Sequence, residues 1–418
     1  MSEEGQLAAA AGTDRSTGTF EDARARLELS LMTEPGDPRL AAVVEAIGAV
    51  QTRHVVLEGH CALGDAGQRW RARLREHAIG RAEQLLERHP ISTSGAERSA
   101  LRWVCPGTAE WAVQLEDLGH VEPLQRLAGS PLGLWARGPL HLAAVADSVA
   151  IVGARAATSY GTQVAGDLAA HCARHGFTVV SGAAFGIDAA AHRGALAMDG
   201  PTVAVLASGA DVAYPRAHCA LLDRIADTGL VLSEVAPGST PTKMRFLARN
   251  RLIAALSSGA VIVEAAHRSG ALNTLNWAGR LGRVTMGVPG PVTSSSSAGV
   301  HQLLREGGSV LVTRGDEVLE AVGTIGRHTA EVRRGPERML DLLDNDAQAV
   351  LEVLQPRAPW GVATVATRAE LSVDEALRTL SGLLVSGLAE RSDDGWRLTR
   401  SAHEQLRRSR GARDGAPT

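Results

Sequence analysis

Between Ser148 and Thr313, short apolar runs alternate with stretches whose apolar positions recur every three or four residues. The runs predict β-strands and the stretches between them predict α-helices. Continuous apolar strands are typical of strands buried on both faces, so the pattern predicts an open, mostly parallel α/β sheet with helices on both faces. The predicted strands are "SVAIVG", "FTVVSG", "TVAVLAS", "GLVLSE", "AVIVEA", "RVTMGVPG" and "SVLVT". The predicted helices span residues 161–175, 188–198, 217–227, 246–258, 272–281 and 300–306.

The segment before this sheet has a helical pattern. Apolar residues repeat at helical spacing from Phe20 to about Glu87, and Pro35–Gly36 separates two of the predicted helices. A strand, a turn and a helix follow in "RWVCPGTAEWAVQLEDL", and "PLGLWARG" then predicts an edge strand. Residues 1–19 are small and polar, which indicates a disordered tail.

The segment after the sheet predicts a separate small domain. Residues 324–340 form a charged linker, and residues 341–400 predict three helices and a hairpin with Asp-Gly at its turn. Three helices and a hairpin are the plan of a winged helix. Residues 401–418 are predicted to form a basic disordered tail.

Composition limits the classes of function. The chain has 418 residues, is 44% hydrophobic and carries a net charge of -3, so a polyanion would need a local basic face. Lys243 is the only lysine. The four cysteines have no metal-binding or redox spacing, and no signal peptide or bilayer-spanning run is found. These features predict a soluble cytoplasmic protein with no membrane partner.

Small, basic and aromatic residues follow the predicted strands. Because parallel strands end at the same edge of a sheet, these residues are expected to converge there. Glycines and helix N-termini admit phosphate oxygens, and basic side chains beside an aromatic ring suit single-stranded nucleic acid. The candidate binding residues are Gly153, Arg155, Ser181, Gly182, Gly186, Lys243, Arg245, Phe246, Arg249, Asn250, Arg251, Ser269, Gly270, Asn273 and Thr274.

Catalytic groups are not indicated at these positions. The sequence shows no paired carboxylates at the strand ends, no nucleophile elbow and no metal-ligand spacing. Asp188 is expected to cap the helix that follows it, and His192 is expected to pack or to hydrogen-bond locally. The prediction is therefore a binding protein without a catalytic residue, metal or cofactor.

Several long motifs, in the same order and spacing, resemble the DprA/Smf family of DNA-processing proteins. The resemblance covers about Pro131 to Gly323 and extends more weakly to both flanking segments. The motifs are "VAIVGARAATSYG", "FTVVSGAAFGIDAAAHRGAL", "TVAVLASGADVAYP", "FLARNRLIAALS", "VIVEAAHRSGALNT" and "VPGPVTSSSSAGVHQLLREGG".

The resemblance implies an extended Rossmann-like DNA-binding domain at residues 101–323 and a small helical domain of SAM or helix-hairpin-helix type at residues 20–100. It implies a recombination mediator, not an enzyme, that binds and protects incoming single-stranded DNA. Such proteins deliver this DNA to the RecA recombinase during natural transformation and form homodimers through the Rossmann-like domain. The family's DNA contacts map to Arg155, Ser181–Gly182, Lys243, Phe246, Arg249, Asn250, Arg251, Ser269–Gly270 and Thr274.

The motifs depart from the family pattern at three places. Phe185 replaces an arginine, Leu247 replaces a proline, and Ala154 replaces a serine. The lost arginine predicts weaker or more salt-sensitive DNA binding. Phe185 itself is open to two interpretations, stacking on a base or packing against the protein.

Two other functions are alternatives. One is a nucleotide-binding or nucleotide-hydrolysing enzyme, but "VPGPVTSSSSAG" lacks the second glycine and the glutamate of the Pro-Gly-Gly-x-Gly-Thr loop. The other is a transcription regulator that uses the winged helix. Asp374 and Glu375 begin its expected recognition helix and would oppose DNA phosphates, which favours a protein contact or a duplex-independent role there.

Overall fold

The computed structural model describes residues 15–57, 65–89, 91, 100–324, 327–330 and 343–404. The chain forms two compact units, residues 1–330 and residues 331–418. The boundary falls within the predicted linker 324–340, most of which lies outside the described residues.

Within the described part of the first unit, nine strands form one sheet in the order β1-β2-β6-β5-β4-β3-β7-β8-β9. Strands β3 to β9 pair in parallel, which confirms the predicted mostly parallel sheet. The strands are β1 (Arg102–Val104), β2 (Leu134–Arg137), β3 (Ser148–Val152), β4 (Thr178–Ser181), β5 (Thr202–Leu206), β6 (Leu230–Ser233), β7 (Gly259–Ile262), β8 (Val284–Gly287) and β9 (Val310–Leu311).

The prediction that "PLGLWARG" forms an edge strand is wrong. Strand β2 lies between β1 and β6 and pairs antiparallel with both. Trp135 on β2 is fully buried and contacts Trp103 on β1, with 5.2 Å between the ring centroids. Strand β1 is the edge on this side, because it is the first strand in the sheet order and pairs with β2.

Helices cover both faces of the sheet, as predicted. In β3, Ala150 and Val152 pack in one core with α8 and α9, whereas Val149 and Ile151 pack in another with α5, α6 and α11. The α-helices in the described part of the first unit are α1 (Arg15–Ser30), α2 (Pro38–Ile47), α3 (Ala49–Leu57), α4 (Asp65–Arg88), α5 (Ser159–Arg174), α6 (Ile187–Ala197), α7 (Cys219–Thr228), α8 (Lys243–Ala255), α9 (Ala271–Arg280), α10 (Ala298–Arg305) and α11 (Gly315–Val322).

Helix α8 begins three residues before its predicted start. The Thr242 side chain accepts a hydrogen bond from the backbone N–H of Arg245 at 3.3 Å and so caps the helix. Lys243 therefore lies in the first turn of α8, and the helix fixes the position of its backbone.

The N-terminal helices pack directly on the β1–β2 edge. Leu27 of α1 and Leu85 of α4 share a core with Trp103 and Trp135. Helix α1 begins at Arg15, so the predicted tail is wrong for residues 15–19, and residues 1–14 lie outside the described part. The N-terminal helices and the sheet thus form one compact unit.

The second unit contains α12 (Asn345–Val353), α13 (Val362–Ala369), α14 (Val373–Val385), β10 (Ala389–Ser392) and β11 (Gly395–Leu398). Its classification as a winged helix stays a prediction. The hairpin turn is Asp393–Asp394 and not the predicted Asp-Gly, because Gly395 already pairs with Ser392. Residues 400–404 are helical and Ala402 is buried, so the predicted tail is wrong for residues 401–404, and residues 405–418 lie outside the described part.

No single helix in the described ranges has the length and hydropathy of a membrane span. Helices α2 and α3 meet that test only when taken together across a bend of 117°.

Candidate functional site

A cleft of about 910 Å³ opens at the carboxyl edge of the sheet. It lies where β3 and β7 are neighbours and the strand order reverses, which is the usual ligand site of such sheets. The residues that line it include two glycines, Gly153 and Gly270, and the polar or aromatic residues Arg155, Asp188, Tyr214, Arg216, Thr240, Thr242, Lys243, Phe246, Arg249, Asn250, Ser269 and Thr274.

Two of the predicted glycines hold loops together. A Cβ added at Gly153 would lie 2.6 Å from Cγ1 of Ile187, which is too close for any side chain. Gly186 has a φ of +76°, and a Cβ there would lie 2.3 Å from the carbonyl oxygen of Ala154. Both glycines therefore let the loops after β3 and β4 meet, and of the two only Gly153 lines the cleft.

A cation and two aromatic rings lie next to one another in the cleft wall. The Arg155 guanidinium lies 4.8 Å from the ring centroid of Phe246, which is within range of a cation–π interaction. The rings of Tyr214 and Phe246 are 5.6 Å apart. Lys243 and Arg216 are exposed on the same wall. Positive charge and aromatic surface are thus adjacent and open to solvent.

Arg249 forms the buried floor of the cleft. Its Nη1 lies 4.0 Å from Oδ2 of Asp188 and donates to the carbonyl oxygen of Val205 at 3.4 Å. The guanidinium packs over Gly182, where any Cβ would collide with it. Within the described residues, Arg249 Nε has no hydrogen-bond partner. Burial lowers the pKa of Arg249, and the nearby Asp188 carboxylate opposes that effect.

Asp188 does not cap α6, so that prediction is wrong. Gly186 occupies the N-cap position, and Asp188 lies in the first turn of the helix. Its carboxylate accepts a hydrogen bond from the backbone N–H of Ala184 at 3.3 Å. Burial raises the pKa of Asp188, and Arg249 partly offsets this by favouring the charged form.

Two predicted arginines point away from the cleft. Arg251 is fully buried and donates to both carboxylate oxygens of Glu234, at 2.6 and 2.7 Å. Arg245 pairs with Glu34 at 2.8 and 2.9 Å. Their interpretation as DNA ligands is therefore not supported by their positions, because each guanidinium already binds a carboxylate.

Two further predicted residues stabilise neighbouring structure and do not line the cleft. The Ser181 hydroxyl is buried and donates to the carbonyl oxygen of Ile151 at 2.7 Å. Asn273 is buried beneath the cleft and accepts a hydrogen bond from Asn250 at 3.2 Å. Asn273 thus orients Asn250, which does line the cleft.

The prediction for His192 is confirmed. The ring is fully buried, and its Nδ1 lies 2.7 Å from the Thr202 hydroxyl. That hydroxyl donates to the carbonyl oxygen of Val179, so Nδ1 carries the hydrogen. Burial lowers the pKa of His192 to about 3, and Arg249 adds to the effect.

Tyr214 and Arg216 line the cleft but were not among the predicted binding residues. They follow β5 in the segment "AYPRAH", where an aromatic and a basic residue lie two positions apart. Ligands of such sheets bind beyond the carboxyl ends of the strands. Because this segment follows β5, the same rule could have predicted Tyr214 and Arg216 as binding residues.

Metal and thiol chemistry find no support within the described ranges. No group of three or more histidine, cysteine or acidic side chains is placed there to hold a metal ion. Burial raises the pKa of the Cys105 and Cys172 thiols to about 12, so both are inert at neutral pH. Cys219 is exposed, and Cys61 lies outside the described residues.

Fold and cleft together define a Rossmann-like protein with a basic, aromatic site at the carboxyl edge of its sheet. The family model for DNA recombination-mediator protein A matches residues 109–323. A protein of Mycobacterium tuberculosis H37Rv, described as a putative DNA processing protein DprA, is 44% identical over 92% of this chain and 96% of its own length. The chain therefore belongs to the DprA/Smf family of DNA-processing proteins.

Two further comparisons, one by sequence and one by structure, match part of this chain. DNA processing protein DprA of Streptococcus pneumoniae R6 is 41% identical over 47% of this chain and 68% of its own length. The X-ray structure of DprA from Streptococcus pneumoniae superimposes with a TM-score of 0.55 and 29% identity, covering 72% of this chain and 96% of that one.

Proposed function

We propose that this chain binds single-stranded DNA in the cleft and acts as a recombination mediator that protects incoming DNA and delivers it to RecA in natural transformation. The observation that carries the proposal is the Arg155–Phe246–Tyr214 cluster, flanked by Lys243 and Arg216. Family membership supports the mediator role.

The chemistry of the cleft favours a single strand over a duplex. Aromatic rings that line a cleft can stack on base faces, which a duplex hides and a single strand presents. Exposed cations beside them can hold the backbone phosphates without reading sequence. Binding with little sequence preference follows from this combination.

A non-catalytic role is part of the proposal. Among the described residues that line the cleft, Asp188 is the one carboxylate, and it faces the Arg249 guanidinium. Acid–base chemistry of the paired kind would need a second acidic group in the same site. We also propose a cytoplasmic location and a homodimer formed through the Rossmann-like region.

The second unit is proposed as a winged helix that contacts protein and not DNA. Asp374 and Glu375 lie in the first turn of α14, the helix that would enter a DNA groove. Val373 and Leu377 on the same helix are exposed. Acidic and apolar groups on this face suit a protein partner better than phosphates.

The proposal is tested by fluorescence anisotropy of a labelled oligonucleotide across a salt series. Arg155→Ala and Lys243→Ala should each weaken single-strand binding about five- to tenfold and lower the salt slope by about 0.7, the value for one phosphate contact on a single strand. Wild-type protein should bind the corresponding duplex much more weakly.

Arg174→Ala is the matched control. Arg174 is exposed in the last turn of α5, just before β4 starts, so it lies at the opposite edge of the sheet. Its removal should leave affinity unchanged. Equal binding of single strand and duplex, or equal losses in all three variants, would refute binding in the cleft.

A further inference from the structure

Aromatic side chains are scarce in this protein, yet several lie near the cleft. Aromatic residues make up 3% of the chain, with four phenylalanines, two tyrosines and seven tryptophans. Tyr214 and Phe246 line the cleft, and Phe185 lies in the loop between β4 and α6 with 48% of its surface exposed. An exposed ring of this size has no role in the hydrophobic core.

Phe185 lies between two segments that form the rim of the cleft. Ala184, directly before it, lines the cleft. The Phe185 ring contacts the ring of His218, with 4.7 Å between the centroids and 66° between the ring planes. His218 belongs to the same short 3₁₀ turn as Arg216, which also lines the cleft.

The loop that carries Phe185 is held firmly in place. His218 is buried, and its Nδ1 donates to the carbonyl oxygen of Ala183 at 2.9 Å. Gly186 closes the other side of the loop, where its positive φ lets it approach Ala154. The Phe185 ring is therefore an exposed surface on a loop that is fixed by contacts on both sides, with His218 on one side.

We infer that Phe185 is a base-stacking platform at the rim of the cleft and that, with Arg216, it forms a subsite for one nucleotide of the bound single strand. Arg216 supplies the cation for a phosphate and Phe185 supplies the apolar surface for the neighbouring base. This inference rests on the proposed function and extends the DNA path past the Arg155–Phe246–Tyr214 cluster toward the loop after β4.

Removing a stacking residue and removing a phosphate ligand have different effects on the salt dependence of DNA binding. Phe185→Leu removes the ring but no charge, so it should weaken single-strand binding roughly tenfold, the usual effect of losing one stacked base, with an unchanged salt slope. Phe185→Trp keeps an aromatic platform and should bind as tightly as wild type. Met198→Ala is the control, because Met198 is an exposed apolar residue that follows the last turn of the same α6 helix, at the opposite edge.

Oligonucleotides with a single abasic site, moved one position at a time, identify the base that stacks on Phe185. In wild-type protein each stacked base should produce a loss of affinity when it is removed. In Phe185→Leu, the loss at one position should disappear while the losses at other positions remain. That selective effect cannot arise from a general weakening of the fold.

The outcomes separate the two proposals. If wild-type protein binds single strands but Phe185→Leu matches it in affinity and in its abasic profile, the subsite is refuted and the cleft proposal stands. If wild-type protein does not bind single strands, both are refuted.

Discussion

At the scale of single residues, helix α8 shows that one basic segment has several roles. Lys243, Phe246 and Asn250 are spaced by three and four residues, so they share the helix face that lines the cleft. Arg251 lies on another face and is buried against Glu234. Helical spacing therefore separates ligand-binding from structural residues, and residue type alone does not.

Arg251 is expected to be essential for stability and dispensable for DNA contact. Arg251→Met leaves the Glu234 carboxylate without its partner and should lower the free energy of unfolding by about 3–5 kcal/mol. Urea denaturation measures this change. Single-strand affinity per folded molecule should remain at the wild-type value.

The double variant Arg251→Met/Glu234→Leu tests the cause of that loss. Removing both charges should restore most of the lost stability, because no unpaired carboxylate remains. A double variant as unstable as the single one would show that Arg251 acts by packing and by its hydrogen bonds to the carbonyl oxygens of Gly129 and Ala248, and not by its ion pair.

At the scale of elements, the sheet was predictable because each buried strand has a continuous apolar sequence. All seven strands predicted after residue 147 are present, and the helices between them differ by a few residues. The position of β2 was not predictable, because edge or interior position depends on which distant strands pair. Likewise, the orientations of Arg245 and Arg251 depend on Glu34 and Glu234, which the local pattern does not connect to them.

His192 joins α6 to β5 and should make the fold sensitive to acid. Its pKa is about 3 in the folded protein against 6.5 for an ordinary histidine. Between pH 6.5 and pH 3, His192 is therefore protonated in the unfolded chain and neutral in the folded chain. The contribution of neutral His192 to the free energy of unfolding is fully present above pH 6.5. It falls by about 1.4 kcal/mol per pH unit as the pH drops from 6.5 toward 3.

The comparison with His192→Gln isolates this effect from other titrating groups. Between pH 7.5 and pH 5, the wild-type free energy of unfolding should fall by about 2 kcal/mol more than that of the variant. Urea denaturation at each pH gives both values. A parallel decline in the two proteins would mean that His192 is not protonated on unfolding.

At the scale of the whole molecule, each of the two units has its own hydrophobic core, and the cleft belongs to the first unit. The first unit has its own cores and contains every residue that lines the cleft. The second unit has a separate core formed by α12, α13, α14 and the hairpin. We therefore expect the first unit alone to bind the DNA, at the carboxyl edge of its sheet.

Photocrosslinking tests this claim most directly. A single-stranded oligonucleotide carrying 4-thiothymidine is irradiated with the full chain, and the adducts are mapped by mass spectrometry. We expect adducts in the segments after β5 and at the start of α8, which contain Tyr214 and Phe246. Adducts confined to residues 343–404, or to the opposite edge of the sheet near Arg174, would contradict the proposed site.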